Sequence, residues 1–339
     1  MNKILEVNNL KTSFRTHVGE VQAVRGVSFD VDFGEAIGVV GESGSGKSVT
    51  MMTVMRLLSE NGEVKDGEVI FNNKDIKNCS EKEMESIRGK EMAMIFQDPM
   101  TSLNPVLKIG DQLTEHLIKH EKISKKDAME RAVKMLETVG IPSPEKRIKQ
   151  YPHEFSGGMR QRVMIAMSLI CNPKLIVADE PTTALDVTIQ AQILDIMKSL
   201  KEKLNTSIIL ITHDLGVVAD ICSRVNVMYG GVIIEKGTTR EIFYEGKHPY
   251  TWGLLKSVPN PKDSNKEKLK PIEGQPPDLL KPPVGCPFAA RCDYAMKICK
   301  ENMPPHFKIS ETHESACWLC HENAPKVEGY RIKGGTVNE

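Results

Sequence analysis

Apolar residues recur along this chain with two different periods. Residues 4 to 40 alternate apolar and polar positions in short runs (ILEVNNL, VRGVSFDV), and this predicts an antiparallel edge of short strands. Unbroken apolar runs of strand length stand at AIGVV, at LIVA within 174 to 180, and at SIILIT just before 213. Helical spacing follows the first of these in VTMMTVMRLL. It then dominates from Asp98 to about Arg162, where DQLTEHLIKH and KDAMERAVKMLETVG are both amphipathic. Between 187 and 204, Ile189, Ile193, Met197, Leu200 and Leu204 predict a helix with one buried stripe. After GGVIIEKGTTREIF the pattern lapses, and prolines, lysines and glycines from Pro259 to Pro283 predict a solvated connection. Strands and helices in this succession predict an α/β fold.

Length adds that the α/β part carries an appendage, since 339 residues exceed one ordinary domain. Lys plus Arg number 45 and Asp plus Glu number 45, so no global field draws the chain to nucleic acid or anionic lipid. The N-terminus lacks the long apolar core of a signal peptide, and VMIAMSLIC at 163 to 171 is too short to span a bilayer. A soluble cytoplasmic chain is expected. Of eight cysteines, Cys79, Cys171 and Cys222 are scattered and read as small buried hydrophobes, while five fall between 286 and 320. A reducing cytoplasm disfavours disulfides, so that cluster suggests a metal. The seventeen methionines read as core filler.

Two stretches carry phosphate chemistry. GESGSGKS at 41 to 48 lies between a strand and a helix and fits G-x-x-x-x-G-K-[ST] at Gly41, Gly46, Lys47 and Ser48. With Ser43, Gly44 and Ser45 adding little side-chain obstruction, its N–H groups can close around a β-phosphate. Lys47 can reach the β and γ oxygens, and Ser48 can offer its hydroxyl to magnesium. KLIVADE at 174 to 180 ends an apolar strand in two acids. Asp179 would hold the metal, and Glu180 would polarise the water that attacks the γ-phosphate.

FSGGMRQRVMIAMSLICNPKLIVADEPTTALD, 155 to 186, resembles the signature and Walker B block of the ATP-binding-cassette (ABC) ATPases, and the resemblance runs from residue 4 to about 240. Ser156 is a good N-cap for the helix begun by Gly157 and Gly158, whose open N–H groups form a second anion site. In the family that signature closes on the γ-phosphate held by the partner's cradle. The resemblance therefore implies a head-to-tail dimer enclosing two ATP molecules, with magnesium. It further implies that Gln97 in MIFQDP contacts magnesium and the attacking water, and that Asp186 in TTALD crosses the dimer seam. His213 in LITHD looks like the switch histidine on the γ-phosphate. Phe14 in LKTSF resembles the aromatic that stacks on adenine, although HVGE follows as a small insertion and a core role competes. The expected domains are 1–240, a nucleotide-binding domain with its helical subdomain at about 98–162, and 241–339, a C-terminal extension.

HPYTWGLLKSVP at 248 to 259, followed by GCPFAARCDYAMKIC, resembles the extension of ABC subunits that energise oligopeptide, dipeptide and nickel importers. Cys286, Cys292, Cys299 and Cys317 can enclose a 4Fe-4S cluster or a tetrahedral zinc. Only Cys317 and Cys320 have the close spacing usual in zinc knuckles, so the wider gaps favour the cluster, and some members of the family are similar in carrying one. Cys320 reads as a spare thiol, and His306 and His313 as surface residues, with His313 an alternative ligand. A structural role in pinning the tail is favoured over electron transfer.

The function implied is ATP hydrolysis that energises di- and oligopeptide import. The chain would sit peripherally on the cytoplasmic side of the cell membrane. Its partners would be a second, similar cassette, two transmembrane permeases and, indirectly, an extracytoplasmic peptide-binding protein. A nickel importer of the same family is the alternative. A soluble ABC protein of ribosomes or DNA is disfavoured by the single P-loop and signature and by the neutral charge. A nucleic-acid-binding zinc element is disfavoured by the absence of a basic excess around 286 to 320.

Overall fold

The computed structural model describes residues 2–98, 102–182, 187–257 and 271–328. They fall into two compact units that interleave along the sequence. One draws on Met1–Leu5, Val31–Ala36 and Phe71–Ile211, the other on Glu6–Asp30, Ile37–Ile70 and Thr212–Glu339.

In the first unit, Met92–Ile95, Leu175–Asp179 and Ser207–Ile211 lie parallel in that order, every residue buried. A strand covered on both faces has no use for alternation, which is why LIVA and SIILI read as continuous apolar runs. Helices Ile109–Glu121, Lys125–Thr138 and Gly157–Leu169 pack on one another. Ala128, Ala132 and Leu136 recur every fourth residue along the buried stripe of the second, and its N-terminus is capped by Ser124 Oγ, which accepts the Asp127 amide at 3.2 Å. Helix Val187–Leu204 buries Ile193 and Met197 as expected. Leu204 does not extend the stripe: the helix stops against Asn205 in the left-handed region (φ 50°), and Leu204 is exposed there.

Lys3–Thr16 and Gly19–Asp32, most of whose residues belong to the second unit, form a hairpin, with Gly62–Phe71 on the other side of the first strand. Each hairpin strand runs 14 residues, longer than the alternation suggested. HVGE stands at the hairpin tip: the strands stay extended up to a two-residue turn, and Thr16 Oγ1 donates to the Gly19 carbonyl at 2.7 Å. Ala36–Val40 lies parallel to Arg224–Tyr229, which pairs antiparallel with Val232–Thr238. The tail continues this edge with Glu314–Ser315 and then Phe307–Lys308. Helix Lys47–Val54 is shorter than VTMMTVMRLL implied, because Arg56 turns left-handed (φ 53°) directly after its C-cap. Cys79, Cys171 and Cys222 are buried as expected.

Candidate active site

The second unit contains the glycine-rich loop. It leaves the strand Ala36–Val40 and enters the helix Lys47–Val54 through Gly46 in the left-handed region (φ 98°). A Cβ on Gly46 would stand 2.6 Å from the Ala23 carbonyl, and one on Gly41 2.2 Å from the Met228 carbonyl, so only glycine lets the chain pass this close to its neighbours. Ser43 and Gly44 form the exposed tip of the loop, while Ser45 and Lys47 are buried and Ser48 half-buried. Lys47 Nζ folds back over the loop and donates to the carbonyls of Gly41 (2.7 Å) and Glu42 (2.9 Å) and to Ser45 Oγ (3.4 Å). The ammonium is thus held over the loop by acceptor groups of residues 41, 42 and 45.

His213 is exposed between the end of Ser207–Ile211 and Asp214, which caps the next helix by accepting the amides of Gly216 and Val217. With Gly41 and Glu42 it borders an open cavity of about 550 Å³. Phe14 is half-buried near the end of its strand, its ring against Gly62, where a Cβ would meet Cε1 at 2.9 Å.

The first unit carries the acids. Asp179 is buried as the last residue of Leu175–Asp179. Glu180 follows with φ 46°, a conformation that strains a residue with a side chain and is found where surrounding structure enforces it. Two bonds enforce it here. The Glu180 amide donates to the Ile211 carbonyl (2.8 Å), and Gln161 Nε2, buried on the helix Gly157–Leu169, donates to the Pro181 carbonyl (2.5 Å). Gln97 Nε2 donates to Glu180 Oε2 at 2.9 Å, bringing two of the predicted residues together. Ser156 Oγ accepts the Met159 amide (3.4 Å), and Ser156 and Gly157 are exposed at that helix N-terminus; a Cβ on Gly157 would meet nothing within 4 Å. Gly158 lies closer to its neighbours, with a Cβ there 3.0 Å from Ile189. Asp186 lies outside the described residues.

In the tail, Cys286, Cys292, Cys299 and Cys317 all line one small cavity, which Cys320 does not reach. Burial pushes the thiols of Cys286 and Cys292 up to about 11, and that of Cys317 higher still. His248 lines the same cavity; its Nδ1 accepts the Tyr250 amide at 3.0 Å, and its buried Nε2 has no hydrogen-bond partner among the described residues. No three His, Cys, Asp or Glu side chains among the described residues form a group able to hold a metal ion. This geometry gives no support to the expected 4Fe-4S cluster or to the zinc alternative. His313 is not at the surface. It is buried, and its Nε2 donates at 2.8 Å to Glu235, itself fully buried.

Sequence reasoning missed Glu235 because it stands in an apolar strand. A bulge between Ile233 and Glu235 shifts the register there, and the carboxylate accepts the amides of Lys247 (2.5 Å) and His248 (3.1 Å) and the Thr251 hydroxyl (2.5 Å). It missed Arg291 and Tyr250 as well, whose contacts run to Glu42 in the glycine-rich loop.

Residues 24–183 match the family model "ABC transporter", and residues 234–299 match "Oligopeptide/dipeptide transporter, C-terminal region". The chain is 61% identical over 329 residues to the oligopeptide transport ATP-binding protein OppD of Bacillus subtilis, covering 97% of this chain and 92% of the relative. It is 56% identical to the dipeptide transport ATP-binding protein DppD of the same organism, over 96% and 97% of the two chains. Against the Escherichia coli oligopeptide transport ATP-binding protein OppD, identity is 51% over 93% of each. Among solved structures, the dimeric ATP-binding cassette MJ0796 in a post-hydrolysis state bound to ADP and Pi is similar, with a TM-score of 0.63 and 26% identity, over 70% of this chain and 99% of that one.

Proposed function

We infer the function of this chain from its family: it belongs to the ATP-binding subunits of ABC oligopeptide and dipeptide transporters. It hydrolyses ATP to energise the import of di- and oligopeptides. The single observation that carries this from the chain's own geometry is the loop 41–48, closed around Lys47 by glycines that no side chain could replace. The relatives are named for peptides, which weighs against the nickel-chelate reading.

Within that activity we assign roles as follows. N–H groups from Gly41 through Ser48 and the Lys47 ammonium hold the β- and γ-phosphates, and Phe14 stacks on the adenine. The Ser48 hydroxyl, the Asp179 carboxylate and the Gln97 amide oxygen are the hard oxygen donors we assign to magnesium. Magnesium, when bound, offsets charge on the phosphates. Glu180 accepts a proton from the attacking water, and Gln97, already bonded to its carboxylate, orients that water. His213 donates to the γ-phosphate. Ser156, Gly157 and Gly158 present the open helix end to a nucleotide held by a second cassette, and Asp186 contributes at the same seam. The exposure of Ser156 and Gly157, with nothing near a Cβ on the latter, supports this outward-facing role.

No helix among the described residues is long and apolar enough to cross a membrane, and we place the chain peripherally on the cytoplasmic face. There it would work with a second cassette, two permeases and, through them, an extracytoplasmic peptide-binding protein, without nucleic acid. Affinity purification of the tagged chain from detergent-solubilised membranes is expected to bring down two polytopic permeases and one further cassette. Recovery with ribosomes and no transmembrane chain would contradict this assignment.

For the tail we propose that Cys286, Cys292, Cys299 and Cys317 would be the thiolates holding a 4Fe-4S cluster. The reading rests on the number and spacing of these cysteines in the sequence. The cluster's role is to pin the tail. Anaerobic preparations should be brown with about four irons per chain; colourless protein holding one zinc would refute the cluster.

A further inference from the structure

Glu42 is an anomaly, an acid one residue into a loop shaped for anions. The tail reaches across to it. Tyr250 Oη accepts the Glu42 amide at 2.7 Å, and Arg291 grips its carboxylate with both terminal nitrogens, Nη1 to Oε2 at 2.5 Å and Nη2 to Oε1 at 3.0 Å. The Glu42 carbonyl accepts Lys47 Nζ (2.9 Å) and the Ser45 amide (3.2 Å). Each polar group of this residue is therefore fixed, two of the three by the tail.

Arg291 is built into place. Its side chain is 5% exposed, and its remaining donors go to Tyr229 Oη (3.0 Å) and the carbonyls of Ile272 (2.9 Å) and Glu273 (2.8 Å). These contacts and the two to Glu42 match the five N–H groups of a guanidinium. Tyr229 and Phe288 flank it at 5.7 and 5.9 Å from their ring centres. The tail also walls the cavity that Gly41, Glu42 and His213 border, through Leu254, Pro271 and Ile272.

We propose that Arg291 and Tyr250 are positioning residues for the nucleotide: the tail neutralises Glu42 and presets the phosphate loop. Arg291 removes the repulsion between the Glu42 carboxylate and an incoming polyphosphate. Tyr250 fixes the first turn of the loop, so that less ordering remains when ATP binds. The proposal rests on reading residues 41–48 as the ATP cradle.

The test is a titration of the full-length chain with a fluorescent ATP analogue and magnesium, alongside the melting temperature of each nucleotide-free variant. Arg291→Met should weaken binding about tenfold or more, the weight of a hydrogen-bonded charge left unpaired. Removing that charge in Arg291→Met/Glu42→Gln should bring affinity back to within about threefold of Glu42→Gln, a coupling that a purely structural role would not give. Tyr250→Phe keeps the ring and loses one neutral hydrogen bond, so about fivefold weaker binding is expected, and this variant answers the question even if Arg291→Met does not fold. Unchanged affinity in Tyr250→Phe, or equal weakening in Arg291→Met with and without Glu42→Gln, would overturn the proposal. If Lys47→Ala bound the analogue like the unmodified chain, the ATP-cradle reading would fall instead.

Discussion

Glu180→Gln is expected to lower ATP turnover by about a hundredfold or more while leaving ATP binding intact, since general-base catalysis by a positioned side chain contributes about 10²–10⁴. The expectation follows from how the residue is held. Its backbone takes a left-handed conformation, pinned by the amide bond to the Ile211 carbonyl and by Gln161 on the following turn. A glutamine fills the same volume, leaves the backbone bonds untouched and still offers Gln97 an oxygen acceptor in place of the carboxylate it now bonds at 2.9 Å. Proton acceptance alone is lost. Nucleotide should accumulate unhydrolysed in a closed dimer, as read by retained ATP after gel filtration and by phosphate release. Undiminished turnover would remove Glu180 from the role of base.

Lys47→Ala is expected to weaken nucleotide binding about 10²-fold, the weight of one or two charge-assisted hydrogen bonds to phosphate. Its effect has two physical parts. The ammonium is a fixed positive charge at the centre of the loop, and it also satisfies the carbonyls of Gly41 and Glu42. Alanine removes both, so the empty loop should lose order as well as charge. Lys47→Arg separates the parts, because it keeps the charge but cannot fit a guanidinium into a space made for a compact ammonium. Isothermal titration with ATP distinguishes the three proteins, and wild-type affinity in Lys47→Ala would end the cradle assignment.

Local rules made much of this legible. The strand Ala36–Val40, the helices of 109 to 138, the Ser156 cap and the strand ending at Asp179 each follow from apolar period, cap chemistry or both, and all stand where the sequence predicts them. Gln97 bonding Glu180 joins residues 83 apart, a contact that no local pattern in the sequence signals. Lengths were harder to read. Hairpin strands run on through exposed polar residues, and the helix after the loop stops where Arg56 adopts a left-handed turn that its side chain does not signal. Buried charge was the least visible of all. Glu235, His313 and Arg291 look like solvated residues in sequence, yet the side chain of each is enclosed by partners 12 to 249 positions away that no period connects. The tail therefore read as an appendage with a cysteine cluster, whereas its arginine and tyrosine close on the phosphate loop.

The most direct measurement is uptake of a labelled peptide into proteoliposomes that contain this chain with its co-purified permeases, second cassette and peptide-binding protein. Accumulation should require ATP on the side occupied by this chain and should cease when Glu180→Gln replaces the unmodified subunit. Uptake that proceeds equally without ATP, or equally with the variant, would contradict the role assigned to this chain.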